Sequence, residues 1–244
     1  MPEEALYLPG EPVEVRLSLT NVSSEMITMS LYPPEIQVKP RNQDEVLFSV
    51  ASGTQPLEIK PDETITVDFT WDQKDTKGKQ VSPGWYDIIF NDITAMQESG
   101  LSYNFSPGSR VLIQYPQGAM EETIELNQSQ TVNGITVTLE RVELASTGMT
   151  VYAFSTPPGY TPPQGILPTS RFMVASAEYS VDGSVVKQAG SAGFGFLEDV
   201  TRYTWENLDP VSADAKELTF RITMRWEDKP EELLGPWEFK VPLE

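Results

Sequence analysis

Cysteine and histidine are both absent from the 244 residues. Their absence removes disulfides, thiol nucleophiles, the usual zinc ligand sets and every mechanism that turns on an imidazole. Positive charge is scarce: 17 Lys and Arg stand against 36 Asp and Glu, a formal net charge of −19. A surface of that sign repels phosphate, so nucleic acid and an anionic membrane surface are excluded as partners. No apolar run approaches the roughly eighteen residues of a membrane-spanning helix, and no direct membrane insertion is expected of this segment. Met1-Pro2-Glu3-Glu4 has neither the basic start nor the apolar middle of a signal peptide. The expectation is a chain that stays inside the cell, or one placed in the cell envelope by an export segment trimmed from upstream. No long amphipathic helix pattern occurs either.

What is present is a 39% apolar fraction with five tryptophans, enough to rule out disorder, and an apolar alternation of period two. Val13, Val15, Leu17 and Leu19 alternate with Glu14, Arg16 and Ser18, and Ile65, Val67, Phe69 and Trp71 alternate with Thr66, Asp68 and Thr70. Each pattern is that of a strand with one wet face. Shorter strands are expected at Ile27–Leu31, Ile36–Lys39, Val46–Val50, Trp85–Phe90 and Arg110–Tyr115, and a short helix at Thr94–Glu98 inside a polar insertion from Asn91 to Gly108. Tyr115 to Glu122, interrupted by Pro116 and Gly118, reads as a linker.

Beyond the linker, Asn133-Gly134 and Asp182-Gly183 are hairpin dipeptides, suited to positions of positive φ. The strand after Asn133-Gly134 keeps Ile135, Val137 and Leu139 in phase and then shifts to Val142 and Leu144, which a bulge near Glu140-Arg141 would absorb. Further strands are expected at Thr150–Phe154, Phe172–Val181, Val185–Ala189 and Arg202–Glu206, with a stiff, extended Pro157–Pro163 between the first two. The longest alternation runs through Leu218, Phe220, Ile222, Met224 and Trp226, which makes Trp226, like Trp71, Trp205 and Trp237, a core residue of its own domain. The expected fold class is all-β, two tandem immunoglobulin-like antiparallel β-sandwich domains, 1–117 and 118–244.

Motifs that suggest chemistry dissolve in their context. Ser184-Val185-Val186-Lys187 spells a Ser-x-x-Lys, but it follows a hairpin turn and does not open a helix. Gly190 to Gly195 has no helix downstream to hold phosphate and reads as a bulge or sheet corner. Asp72 and Asp75 lack the spacing of an EF-hand loop and read as surface acids of a hairpin. No catalytic residue, metal or cofactor is expected.

The order L-x-I-x-P-x-E-T, F-x-W-D-Q-x-D and G-K-x-V-x-P-G-W-Y from Leu57 to Tyr86, with Pro9-Gly10-Glu11-Pro12-Val13 and Leu19-Thr20-Asn21-Val22-Ser23-Ser24-Glu25 upstream, resembles the bacterial intracellular proteinase inhibitor family BsuPI. The resemblance covers about the first half of the chain. It implies a β-sandwich and a role in binding a serine protease of subtilisin type. The second half, through Val132 to Val137, Leu208-Asp209-Pro210 and Leu218-Thr219-Phe220, is similar to immunoglobulin-like domains on the outer side of anti-sigma-factor-like membrane proteins. Candidate partner-binding residues are Asp72, Asp75, Lys77 and Lys79, in the polar loop, and Trp85, which falls out of phase with Tyr86, Ile88 and Phe90 and so leaves the core face. For Trp85 the alternative is packing under a neighbouring loop or the second domain. The functional expectation is a non-catalytic protein-binding module of inhibitor type; the alternative is a structural or adhesive domain pair of a cell-envelope protein.

Overall fold

The computed structural model describes residues 5–156, 173–197, 200–226 and 229–243; the expected Pro157–Pro163 segment lies outside them. The described residues contain strands and no helix, and none therefore forms a helix long and apolar enough to cross a membrane. They divide into two compact units, Met1–Pro116 and Gln117–Glu244, one residue from the boundary that the linker composition suggests. Each unit is a β-sandwich with its own apolar core; the pairing is antiparallel as expected, except that Ala5–Tyr7 runs parallel beside Gly108–Ile113.

Unit 1 contains β1 (Ala5–Tyr7), β2 (Val13–Thr20), β3 (Ile27–Tyr32), β4 (Glu35–Pro40), β5 (Phe48–Val50), β6 (Gln55–Ile59), β7 (Thr64–Trp71), β8 (Gly84–Asn91), β9 (Ile93–Gln97), β10 (Ser102–Phe105) and β11 (Gly108–Ile113). They form a five-stranded sheet β1-β11-β8-β4-β5, a two-stranded ribbon β2-β7 and a four-stranded sheet β10-β9-β3-β6. Val13, Val15 and Leu17 of β2 and Val67, Phe69 and Trp71 of β7 meet Val38, Tyr86, Ile88 and Val111 in the core. Trp71 lies edge-on to Tyr86 with ring centroids 5.3 Å apart.

Two long ribbons bend to make this arrangement. The β2–β7 register ends at Thr20↔Thr64, and the same two chain segments pair again from Ile27↔Ile59. The interruption is pinned by Asn21, whose buried Nδ2 donates to the carbonyls of Glu25 (2.8 Å) and Ile59 (2.9 Å) while its Oδ1 accepts the Ser23 N–H (3.0 Å). The β8–β11 ribbon likewise continues as β9–β10 beyond Asp92, which sits at φ 51°. The residues expected to form a helix at Thr94–Glu98 lie instead in β9 and the turn after it. Ile93 and Ala95 turn into the core on alternate positions, and a strand, not a helix, satisfies that spacing. Ser102–Phe105 of the same polar insertion form β10.

Unit 2 contains β12 (Glu122–Val132), β13 (Ile135–Ala145), β14 (Gly148–Thr156), β15 (Met173–Val181), β16 (Lys187–Ser191), β17 (Gly193–Leu197), β18 (Val200–Leu208), β19 (Glu217–Trp226) and β20 (Lys229–Pro242). Its sheets are β12-β13-β14-β18-β17 and β16-β15-β19-β20. Asn133 and Gly134 have φ 52° and 79°, and Asp182 and Gly183 have φ 50° and 66°, as the hairpin dipeptides require. The β13–β14 register slips between Leu139 and Arg141, at the position where the hydrophobic phase changes. Gly190 (φ 77°) lies at a register shift against β15, and Ala192 is the hinge at which the chain leaves one sheet for the other, so the glycine-rich string makes both a bulge and a corner.

Val185, Val186 and Trp226 depart from their expected places. Val185 and Val186 are exposed in the turn before β16 and are not strand residues. Lys187, which completed the Ser-x-x-Lys string, is bonded to Asp209 at 2.7 Å. Trp226 is only partly buried, because it ends its strand opposite Lys229 at a register shift. Trp205 and Trp237 are deep in the core, the former edge-on to Phe220 at 5.2 Å.

Candidate functional site

The loop between β7 and β8 holds four of the five candidate residues. Asp72, Lys77 and Lys79 are exposed and Asp75 is half-buried. The loop is not slack. Trp71, buried at its start, donates Nε1–H to the Lys74 carbonyl at 2.8 Å. Tyr86, buried at its end, donates its hydroxyl to the Ser82 carbonyl at 2.6 Å. Between them the Gln73 side chain is 0% exposed. Its Nε2 donates to the carbonyls of Leu8 (2.9 Å) and Glu11 (2.7 Å), and its Oε1 accepts the Gly10 N–H (2.8 Å) and Gln80 Nε2 (3.1 Å). One side chain thus ties the loop to the Pro9-Gly10 turn more than sixty residues away in sequence.

The tip is a closed turn. The Asp75 N–H donates to the Lys79 carbonyl and the Gly78 N–H to the Asp75 carbonyl, both at 2.9 Å. The Asp75 carboxylate accepts the N–H groups of Lys77 and Lys79, also at 2.9 Å, the side-chain-to-backbone bonding that fixes Asx-type turns. The Thr76 N–H reaches the Leu47 carbonyl at 2.9 Å and so anchors the tip to the loop before β5. Asp72 bonds Lys74 Nζ at 3.0 Å, and this hydrogen bond holds its carboxyl below the usual carboxylate range. Lys77 and Lys79 carry no such partner among the described residues and stand in solvent.

Trp85 is not part of this surface. It is 3% exposed and lies across the β8–β11 ladder from Leu112, which is also buried; both point away from the sandwich core. Its main-chain carbonyl accepts the Arg41 N–H at 3.0 Å. Being out of phase with the core face removed Trp85 from the core of its sandwich but did not expose it. The structure brings Asp72, Asp75, Lys77 and Lys79 together, and sets Trp85 aside as a packing residue.

Gln73 and Asn21 stand in the strings that carry the family resemblance, but the sequence gives neither of them a structural role. A glutamine inside a run of exposed polar residues carries no compositional signal, and its burial depends on a turn distant in sequence. Among the described residues no group of three or more acidic side chains is placed to hold a metal ion; the carboxylates of Asp72 and Asp75 already accept bonds from their own loop.

No family model matches the chain, and no curated protein matches it. Among solved structures the chain is similar to the CupB2 chaperone of Pseudomonas aeruginosa, at 10% identity and TM-score 0.26, over 98% of this chain and 97% of that one.

Proposed function

We propose that the chain is a non-catalytic protein-binding module whose N-terminal domain presents the Asp72–Ser82 loop to a serine protease of subtilisin type. The observation that carries this reading is a loop closed by its own hydrogen bonds and tied at both ends to the core, with its lysines left in water. A surface ordered before binding loses little conformational entropy on association, and that saving appears as affinity. Lys77 and Lys79 supply positive charge on a chain of net −19, which gives the loop a sign of its own and selects for an acidic rim on the partner. Because Asp75 to Lys79 form a closed turn, the loop meets a protease as a wedge across the cleft and not as an extended strand threaded through it.

The test is a titration of the full chain against a panel of subtilisin-like proteases. Stoichiometric slowing of substrate turnover is expected, weakened at least about tenfold by the double substitution Lys77→Ala, Lys79→Ala, as for loss of a pair of well-placed interfacial charges. Unhindered turnover, with the loop itself cut by the same enzymes, would overturn it. A second reading, a structural or adhesive domain pair, is favoured by a particular point: Trp71, Gln73 and Tyr86, which carry the family resemblance, all serve to hold the loop and its neighbours in place. Residues that maintain architecture are shared by binders and scaffolds alike, and failure of the protease panel would leave this reading standing.

A further inference from the structure

The β9–β10 hairpin leaves a strand unfinished at the edge of its sheet. β10 ends the order β10-β9-β3-β6, and all four of its residues are exposed. The hairpin turn fixes which backbone groups face outward. The Gln97 N–H donates to the Leu101 carbonyl at 2.8 Å, so 97 and 101 form a bonded pair. With the register Ser102↔Met96, Tyr103↔Ala95, Asn104↔Thr94 and Phe105↔Ile93, antiparallel alternation makes Tyr103 and Phe105 bonded positions as well. The N–H and C=O groups of Ser102 and Asn104 therefore point to the open edge.

Side chains divide in the same way. Leu101, Tyr103 and Phe105 share one face at alternate positions and are 53%, 44% and 38% exposed. Natural proteins blunt open edges with charge, proline or a bulge. β10 has none of these within its span, and from Ser99 to Ser109 there is no charged residue, in a chain that is 22% charged. Beside this neutral strip stand Asp92, Glu98 and Glu25, the last accepting the Ser99 N–H through Oε2 at 3.1 Å.

We propose that β10 is a strand-addition site for an extended segment of another protein, with alternate apolar side chains, no charge in its centre and basic residues at its flanks. Free ladder groups supply the main-chain bonds, and the Leu101–Tyr103–Phe105 stripe reads alternate side chains of the incoming strand. The acidic rim selects basic flanks. A second copy of this chain is a poor occupant, since it would bring a further −19 with it, and like charge keeps copies apart. The site is separate from the Asp72–Ser82 loop and does not rest on the function proposed for that loop.

The probe is a capped peptide of alternating valine and threonine with a lysine pair at each end, added to the full chain. Two-dimensional amide NMR should show the largest shifts at Ser102 and Asn104, with their exchange slowed. Asn104→Pro, which removes an outward N–H from an exposed edge where proline is tolerated, should weaken binding at least about tenfold, the scale of a lost hot spot, while leaving the melting temperature unchanged. Should the proline lower that temperature, Phe105→Lys decides in its place, because it keeps every ladder bond and alters only the stripe. Equal binding by both variants, equal binding of a peptide with glutamate flanks, or shifts centred away from β10 would each overturn the proposal. So would concentration-dependent dimerisation through β10, which would make a second copy the occupant.

Discussion

Four hydrogen bonds converge on the Gln73 side chain, which solvent does not reach. Its backbone sits at φ 59°, a region that a non-glycine residue enters only where its surroundings over-determine it. Gln73→Ala would take the partner from the Glu11 carbonyl and the Gly10 N–H and leave the Leu8 carbonyl with the Glu11 N–H alone; these groups belong to exposed residues that water can reach, so each lost bond costs about 0.5–1.5 kcal/mol. The expected outcome is a fall in urea midpoint for unit 1 with an unchanged slope, accompanied by faster amide exchange at Gly10 and at Lys77 and Lys79. A midpoint equal to that of the wild-type chain would show that the turn and the loop hold their places without this side chain. Gln73→Glu separates shape from charge: it keeps the length but replaces the two N–H bonds to carbonyls with carboxylate oxygens facing them, so it should be no better than alanine.

At the scale of elements, the five-position alternation of β19 names the core face correctly through Leu218, Phe220, Ile222 and Met224 and overreaches at Trp226. Trp237, fully buried and donating Nε1–H to the Ile135 carbonyl at 3.3 Å, should cost about 3–5 kcal/mol on truncation to alanine. Trp226→Ala should cost less, below about 3 kcal/mol, since less area leaves water on folding. Chemical denaturation of the two variants checks the order, and equal losses would mean that the end of β19 packs as tightly as its middle. The same contrast explains which elements the sequence disclosed. Turns such as Asn133-Gly134 and the slip at Glu140 are local chemistry, written in adjacent residues. Long strands with one wet face announce themselves by period. β9 and β10 do not: β9 is short and β10 is an edge with both faces exposed, so neither supplies a long contrast between inward and outward positions. In β8, alternation identified the face of Trp85, but only tertiary packing decides whether the second face of a strand is wet. The candidate loop was visible as a polar run between two strands; its rigidity was not, because Gln73 and Thr76 draw their partners from Leu8–Glu11 and Leu47.

For the whole molecule, a net charge of −19 and an isoelectric point near 4.3 set two events on acidification, and their order can be worked out. Solubility depends on net charge, so association should peak as the charge vanishes near pH 4.3. Folding stability depends instead on carboxyls that differ between folded and unfolded chain. Asp68 is held below its usual range by the hydrogen bond from Arg16, Asp72 by Lys74, Glu143 by Arg141, and Asp214 by Ser212 and Gln117. A carboxyl lowered in the folded state contributes stability that is complete above its unfolded value, about 4, and is lost as the pH falls through the lower, folded value. All four are exposed groups, so each contribution is small and screened by salt. Association should therefore come first, with melting still near its neutral-pH value around pH 5, and loss of stability should follow only below about pH 4. Light scattering and calorimetry on one pH series would separate the two. If the melting temperature fell steeply between about pH 6 and 5, where these carboxyls remain ionised in both states, some group other than these four would govern the acid stability of the fold.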